Sequence, residues 1–243
     1  MIFSTAAAIP SEKELKYIEA LAKRLFGQIG ASSSPSWVYI TVIAALALIG
    51  YLMGSLNFAV IISRVKFGED IRTKGSGNAG ATNMSRTYGK SAGIFTLLGD
   101  IMKTVIPVLA AKILVGEQYG YLVGLFCAIG HAFPCYYKFK GGKCVAVTAA
   151  IALVMEPIVF LFLLIIFAVT VIGTKYVSLS SIFSALMYPV LLHNVISNRY
   201  GHGHIGIVFV IINSLLVIFL HRGNIKRLLE GKESKFAFKK KEK

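Results

Sequence analysis

"WVYITVIAALALIGYLMGSLNFAVIIS", Trp37–Ser63, runs for 27 residues without a charged side chain. An α-helix needs about 20 apolar residues to cross the roughly 30 Å hydrocarbon core of a bilayer. This stretch is long enough to do so. It also begins too late in the chain, and runs too long, to be a cleaved secretory signal. The sequence therefore predicts an integral membrane protein.

The composition of the chain agrees with a membrane protein. Hydrophobic residues make up 56% of the 243 residues, which is more than an ordinary soluble domain carries. The net charge of +15 indicates orientation in the membrane and contact with anionic lipid. No nucleic-acid-binding motif is present, so we expect no nucleic-acid partner. Cys127, Cys135 and Cys144 have neither metal-binding nor redox spacing, and we expect inert thiols.

Seven apolar segments follow one another along the chain. They cover residues 37–63, 93–115, 119–137, 144–155, 158–173, 176–198 and 204–220. The fourth and fifth form either two short spans that turn at Glu156-Pro157 or one long kinked helix. With seven spans and the N-terminus outside, most Lys and Arg residues lie on the cytoplasmic side, whereas six spans would put the basic tail outside. We therefore predict an all-α, seven-transmembrane-helix bundle with a cytoplasmic C-terminus.

Three regions are expected along the chain: an extension (1–35), the membrane domain (36–220), and a cytoplasmic motif with a basic tail (221–243). In the extension, Ser11 and Glu14 have the spacing of a capping box, and apolar residues then recur at helical spacing. This pattern predicts an amphipathic helix on the outer membrane surface. A solvated leader without function is the alternative.

The segment "RTKGSGNAGATNMSRTYGK", residues 72–90, is rich in glycine and cations. Gly75 and Gly77 let the backbone turn with positive φ, so that successive N–H groups can form a nest for an anion. Arg86 adds a planar cation suited to phosphate. Neutral donors are available from Ser76, Asn78, Thr82 and Asn83. The nucleotide-binding P-loop pattern is absent. The segment is either a phosphate-binding loop or a flexible linker between helices.

Two further polar segments repeat this chemistry. Gly141, Gly142 and Lys143 precede an apolar helix, whose N-terminus favours an anion; a positive anchor for the membrane is the alternative. His221, Asn224 and Arg227 follow at spacings of three and share a face if helical. His221 is either a proton carrier or a polar anchor. In the seven-span arrangement all three polar segments lie on the cytoplasmic face, where they can converge.

Charged and histidine side chains also occur within the apolar segments. Asp100 and Lys103 are three residues apart, and an unpaired charge in lipid costs about 2.5–3.5 kcal/mol. We expect them to form an ion pair or to face the site. His131 and His193 are expected to be hydrogen-bonded within the bundle. The "GHGH" stretch at 201–204 lacks further ligands, so we expect neither metal nor cofactor.

The motifs in this order resemble the bacterial acyl-phosphate:glycerol-3-phosphate acyltransferases, the PlsY family. The matching stretches are "GSLNF" (54–58), "DIRTKGSGNAGATNMSRTYGKSAG" (70–93), "DIMKT" (100–104), "GHAFPCYYKFKGGKCVAV" (130–147) and "HRGNIKRLLEGKESK" (221–235). The resemblance implies a seven-helix enzyme of the bacterial cell membrane. Such an enzyme transfers an acyl group from acyl-phosphate to the sn-1 hydroxyl of glycerol-3-phosphate, the first step of phospholipid synthesis.

The resemblance also carries functional roles onto individual residues. Catalytic roles fall on Ser76, Arg86, His221 and Asn224, and a phosphate-binding role on Lys143. Together with the analysis of the loops, this gives a set of phosphate-binding candidates: Gly75, Gly77, Asn78, Thr82, Asn83, Gly141, Gly142 and Lys143. Asp100 and Lys103 are supporting residues. Three departures from the usual pattern of the family are Asn57 for Pro, Thr104 for Gly and Cys144 for Gly.

The expected chemistry needs no covalent nucleophile, because acyl-phosphate is a mixed anhydride with a good leaving group. We expect a monomer whose site faces the cytoplasm, with glycerol-3-phosphate, acyl-phosphate and membrane lipid as partners. The proton of the glycerol hydroxyl goes either to His221 or to a substrate phosphate. Two other functions remain open: a transporter of phosphorylated metabolites, and a diverged acyltransferase with another acceptor.

Overall fold

The computed structural model describes residues 36–200 and 204–235. Within these ranges every regular element is a helix. The α-helices are α1 (Ser36–Ser55), α2 (Phe58–Phe67), α3 (Ala81–Tyr88), α4 (Lys90–Val115), α5 (Glu117–Ala132), α6 (Val145–Met155), α7 (Pro157–Thr174), α8 (Val177–Tyr200), α9 (Gly206–Leu220) and α10 (Arg222–Leu229). Short 3-10 turns occur at Ile71–Thr73 and Cys135–Tyr137. The helix predicted after Ser11 lies outside the described residues, as does His202.

Several helices have the length and composition of membrane spans. Four regions qualify: Trp37–Phe67, which combines α1 and α2, Lys90–Val115, Pro157–Thr174 and Val177–Ser197. The pair α9–α10, bent by 54°, is a fifth if it counts as one span. At 16 and 11 residues, α5 and α6 are shorter than the roughly 20 residues that a bilayer requires. The predicted all-helical membrane fold agrees with these elements, and each of the seven apolar segments overlaps at least one α-helix.

The first apolar segment is not one continuous helix, because the chain breaks at Asn57 between α1 and α2. The Asn57 side chain accepts a hydrogen bond from the Val60 N–H (3.1 Å), which caps α2. Its amide nitrogen donates to the Ala79 carbonyl (3.4 Å). Asn57 is fully buried. This departure from the usual proline therefore connects the start of α2 to the glycine-rich segment.

The helix is interrupted at Glu156, between the fourth and fifth apolar segments. Helix α6 ends at Met155, and α7 begins with Pro157. Proline suits the first helical position, where its missing N–H costs nothing, but it interrupts a helix interior. The two segments are therefore separate helices rather than one continuous helix.

Close packing of α1 on α5 fixes the frame beneath the polar loops. A side chain at Gly54 would collide with the backbone of Cys127, and one at Gly130 with the backbone of Tyr51. Glycine at these two positions allows the helix backbones to approach closely, as is common between membrane helices. The end of α5 and the end of α1 are thereby brought together beside the loop that follows Ala132.

Candidate active site

The glycine-rich segment folds into a turn followed by helix α3, and this helix was missed in the sequence. Gly75 (φ 56°) and Gly77 (φ 72°) make the turn in the left-handed region. A signal was available, because glycines flank "ATNMSRTY" on both sides and Met84 and Tyr88 are four residues apart. The segment is therefore an ordered turn and helix rather than a flexible linker.

Asn83 of α3 holds this turn together. Its side-chain oxygen accepts from the Ser76 N–H (3.0 Å), and its amide donates to the carbonyls of Lys74 and Asn78, both at 3.0 Å. Asn83 is only 2% exposed. Both hydrogens of the amide are committed to the turn, so the assignment of Asn83 as a phosphate ligand is corrected to a positioning role. The Ser76 N–H is likewise committed and cannot join an anion nest.

An arginine clamp that was not predicted connects the glycine-rich segment to the second polar loop. The Arg72 guanidinium donates to the carbonyls of Tyr137 (2.7 Å) and Lys140 (3.1 Å). Asp70 orients it with two hydrogen bonds, of 2.9 and 2.7 Å. Arg72, followed by Arg64, holds the pKa of the Asp70 carboxyl well below its usual range. The two loops therefore form one rigid unit.

The second loop lies directly on the end of α5. The Gly141 N–H donates to the Ala132 carbonyl (3.1 Å), and the Gly142 N–H donates to the His131 carbonyl (3.0 Å). A side chain at Gly142 would collide with the His131 ring and the Ala79 carbonyl. The pair of glycines thus allows the loop to pack closely enough to aim Lys143 at the site.

Cys144, one of the three departures from the pattern that the resemblance implies, is in the left-handed region (φ 63°). A side chain in this conformation costs about 1–2 kcal/mol, whereas glycine adopts it freely. The Cys144 thiol is buried and donates to the Ala128 carbonyl (3.1 Å). Glycine at this position would adopt the same backbone conformation without that cost.

The third polar segment begins at the bend between α9 and α10. As predicted, His221, Asn224 and Arg227 lie on one helical face and all three line the same cavity. Lys143 Nζ donates to the Asn224 side-chain oxygen (2.5 Å), which joins the second and third segments. Arg86 of α3 reaches the same region, where it donates to the Ser234 carbonyl (3.3 Å). The three segments therefore converge.

Glu233 is a central residue of the site that was not predicted. Its carboxylate accepts hydrogen bonds from Asn224 (2.7 Å), Arg227 (2.7 Å) and Ser178 at the start of α8 (2.9 Å). Its side chain is only 6% exposed. Arg227 and the two neutral donors compensate the cost of burying this charge. Glu233 therefore fixes α10 against α8.

Asp100 and Lys103 form the predicted ion pair. Lys103 Nζ lies 2.7 Å from the Asp100 carboxylate, and both side chains are at most 2% exposed. Lys103 also donates to the Leu56 carbonyl (2.7 Å) and contacts His131 Nδ1 (2.9 Å). His131 is thus hydrogen-bonded in the bundle as expected. His193 contacts Ser197 within α8 (3.4 Å).

Two adjoining cavities open between these elements. The smaller, of about 380 Å³, is lined largely by the polar loops. The larger, of about 820 Å³, starts at the same loops and continues between apolar residues of α6, α7 and α8. The residues that line both cavities are Ser76, Asn78, Lys143, Asn224 and Arg227. Every predicted site residue except Lys103 lines at least one of the two cavities.

The charges around the cavities are perturbed by burial. Burial, followed by repulsion from Arg227, lowers the pKa of Lys143 to about 8. Burial lowers the pKa of His221 to about 4, so the ring is neutral at pH 7. His221 Nδ1 lies 2.8 Å from the Val217 carbonyl, which can only accept. Nδ1 therefore carries the proton, and Nε2 is left as an acceptor.

Among the described residues no group of three or more His, Cys, Asp or Glu could hold a metal.

Converging cations and an apolar cavity within a helical, membrane-length fold define a membrane enzyme whose site suits a phosphorylated lipid. The sequence model of the family described as glycerol-3-phosphate acyltransferase matches residues 44–231. The chain belongs to this family.

Known glycerol-3-phosphate acyltransferases are similar to this protein over most of its length. A glycerol-3-phosphate acyltransferase of Macrococcus caseolyticus (strain JCSC5402) is 40% identical over 198 residues, which cover 82% of this chain and 99% of the relative. Another, of Clostridioides difficile (strain 630), is 39% identical over 80% of this chain and 96% of the relative. The chain is also similar to a crystal structure of PlsY (YgiH), an integral membrane glycerol 3-phosphate acyltransferase, in its glycerol 3-phosphate form. The TM-score is 0.76 at 34% identity, and the match covers 81% of this chain and 96% of that one. The lysophosphatidic acid form of PlsY has a TM-score of 0.73 at 32% identity, with the same coverage.

Proposed function

We propose that this protein transfers a fatty acyl group from acyl-phosphate to the sn-1 hydroxyl of glycerol-3-phosphate. The products are 1-acyl-glycerol-3-phosphate (lysophosphatidic acid) and inorganic phosphate. One observation carries the proposal: a small polar cavity and a large, mostly apolar cavity share a wall of hydrogen-bonding and cationic residues. Acyl transfer between a phosphorylated alcohol and an acyl-phosphate requires this combination. The solved PlsY structures hold glycerol 3-phosphate and lysophosphatidic acid, which supports the same acceptor and product here.

The substrate phosphates would bind to cations and to two helix N-termini. The first hydrogen bonds of α3 and α6 start from the N–H groups of Met84 and Thr148. The three N–H groups before each of these have no acceptor within the helix, and the helix dipole makes both ends favourable for anions. Arg86, Lys143 and Arg227 add full charges around the same cavity. Each charge-assisted hydrogen bond could contribute about 1.5–3 kcal/mol.

The acyl chain would lie in the apolar part of the larger cavity. Its wall there includes Ala149 of α6, Phe160, Leu164 and Phe167 of α7, and Ala185 of α8. Burial of apolar surface stabilises a bound chain by about 0.8 kcal/mol per CH₂ group. This binding would hold the reacting carbonyl next to the polar residues of the shared wall.

Catalysis would depend on positioning, since acyl-phosphate is already activated. Ser76 and Asn224 would orient the substrates at the shared wall. Because Nε2 of His221 is an acceptor, it could take the proton of the glycerol hydroxyl. A substrate phosphate could take the same proton, and the pH–rate profile of His221→Gln separates the two routes.

The arrangement in the membrane is part of the proposal. Seven spans with the N-terminus outside would put the three converging segments on the cytoplasmic side of a bacterial plasma membrane, in agreement with their excess of Lys and Arg. Both substrates are expected to reach the site from that side or from the bilayer. A monomeric enzyme is also part of the proposal.

The proposed function is tested by phosphate release from purified protein in detergent or lipid. Palmitoyl-phosphate would be supplied with and without glycerol-3-phosphate, and Arg86→Ala would serve as the control because Arg86 is exposed and its loss should leave the fold intact. We expect release that depends on glycerol-3-phosphate and is lost in the control. A folded wild-type protein without such release would contradict the proposal.

A further inference from the structure

The buried Lys103 ammonium group determines which ring nitrogen of His131 carries the proton. Lys103 Nζ donates to the Leu56 carbonyl (2.7 Å), forms an ion pair with Asp100 (2.7 Å) and lies 2.9 Å from His131 Nδ1. A lysine ammonium has three donors and no acceptor, so Nδ1 must accept the hydrogen bond. The distance from Nδ1 to the Asp100 carboxylate is 3.7 Å, too long for a hydrogen bond in which Nδ1 would be the donor.

The proton of the His131 ring is therefore on Nε2. Within residues 36–200 and 204–235, no acceptor forms a hydrogen bond with Nε2, although His131 is only 3% exposed. His131 lines the larger cavity together with Asp100 and Lys143, and it does not line the smaller one. Among the described residues, Nε2 is not one of the side-chain atoms that are fully buried without a partner, so this N–H group faces accessible space. An oxygen atom of a substrate in the larger cavity would satisfy it.

We propose that the His131 Nε2–H group donates a hydrogen bond to the carbonyl oxygen of the acyl donor and stabilises the negative charge that develops there. This inference rests on the proposed acyl transfer and adds a catalytic residue to it. The cations of the site serve the phosphates. A neutral donor is suited to an oxygen that is uncharged in the substrate and becomes charged only in the transition state.

The role of His131 is consistent with the balance of the reaction. The hydroxyl oxygen of the acceptor forms a bond to the carbonyl carbon, and the carbonyl π electrons move onto the oxygen held by His131. These electrons then return, the bond between the carbonyl carbon and the phosphate oxygen breaks, and phosphate leaves with the electron pair. The hydroxyl proton goes to His221 Nε2 or to phosphate. His131 transfers no proton, so Lys103 serves to hold the ring neutral and correctly oriented.

The packing of the second loop keeps the donor accessible. A side chain at Gly142 would collide with His131 Nε2, so the absence of one leaves this nitrogen uncovered. The Gly142 N–H is bonded to the His131 carbonyl (3.0 Å), which fixes the loop beside the ring. The same loop carries Lys143. The loop therefore fixes the distance between the His131 Nε2–H group, which would bind the acyl carbonyl, and Lys143, which would bind a phosphate.

The test compares two amide substitutions of His131. One keeps the acceptor at the position of Nδ1, and the other keeps the donor at the position of Nε2. In His131→Asn the side-chain oxygen can still accept from Lys103, but the longer reach of Nε2 is lost. In His131→Gln the amide N–H can reach the position of Nε2. We expect kcat to fall about 10²–10³-fold in His131→Asn, with KM for glycerol-3-phosphate changed less than threefold. We expect His131→Gln to retain kcat within about tenfold of wild type.

A spectroscopic measurement tests the contact without turnover. In wild-type protein given ¹³C-carbonyl palmitoyl-phosphate and no acceptor, we expect the infrared carbonyl band to lie at lower frequency than in detergent alone. The shift should shrink in His131→Asn. An unshifted band in bound wild type, or equal losses of kcat in the two variants, would overturn the inference. Phosphate release that requires glycerol-3-phosphate in the wild type tests the underlying function separately.

Discussion

Lys143 should give the enzyme an alkaline limit close to pH 8. Burial, followed by Arg227, lowers the pKa of its amine from 10.5 to about 8. As the pH rises through this value the amine loses its positive charge, and with it the attraction for a substrate phosphate. The charged fraction falls from roughly nine-tenths at pH 7 to roughly one-tenth at pH 9. We therefore expect kcat/KM to fall about tenfold over this interval.

The measurement is phosphate release at low substrate concentration from pH 6 to pH 9.5, corrected for hydrolysis of acyl-phosphate without enzyme. The assignment is specific because the pKa of His221 is lowered to about 4, far from this limb. Lys143→Arg is the matched variant, since a guanidinium stays charged throughout. Its absolute rate should be lower but its profile flat above pH 7. A constant wild-type kcat/KM up to pH 9.5, or the same decline in Lys143→Arg, would refute the reasoning.

Other substitutions test other parts of the site. If His221 is the base, its substitution by Gln should remove the acidic limb of the pH–rate profile near pH 4; near-normal activity with that limb unchanged would assign the proton to a substrate phosphate. Gly142→Ala should lower kcat/KM about 100-fold because the added methyl group collides with His131. Gly223→Ala is the control: its methyl group would lie 3.6 Å from the end of the Arg227 side chain, and the variant should stay active. Cys144→Gly should raise the free energy of unfolding by up to about 1 kcal/mol in a denaturant titration, since it removes a strained φ. It should leave the preference for glycerol-3-phosphate unchanged; a switch to another phosphorylated acceptor would favour a diverged enzyme.

The parts of the fold that depend on local pattern could be predicted from the sequence. Apolar length predicted the membrane helices, and Pro157 predicted the break before α7 because proline acts on its own neighbours in the chain. The three cationic segments could be recognised as candidates because glycine, lysine and histidine were close together in each. Their convergence was inferred from the positive-inside rule alone.

The contacts that hold the site together could not be predicted in the same way. Arg72 reaches carbonyls 65 and 68 residues further along the chain. Glu233 joins the start of α8 to α10, although in sequence it is one charge within a basic tail. Asn83 looked like a phosphate ligand because a list of donors does not tell which ones the backbone already uses. These roles depend on distances between elements, which no local pattern encodes.

The wall common to the two cavities has a kinetic consequence for the proposed reaction. The product carries both the phosphate of one substrate and the chain of the other, so a single product molecule would fill both cavities at once. It should therefore compete with either substrate, and product inhibition should be competitive toward both. Turnover would then depend on how quickly the membrane dilutes the product, and the enzyme would slow where its own lipid accumulates.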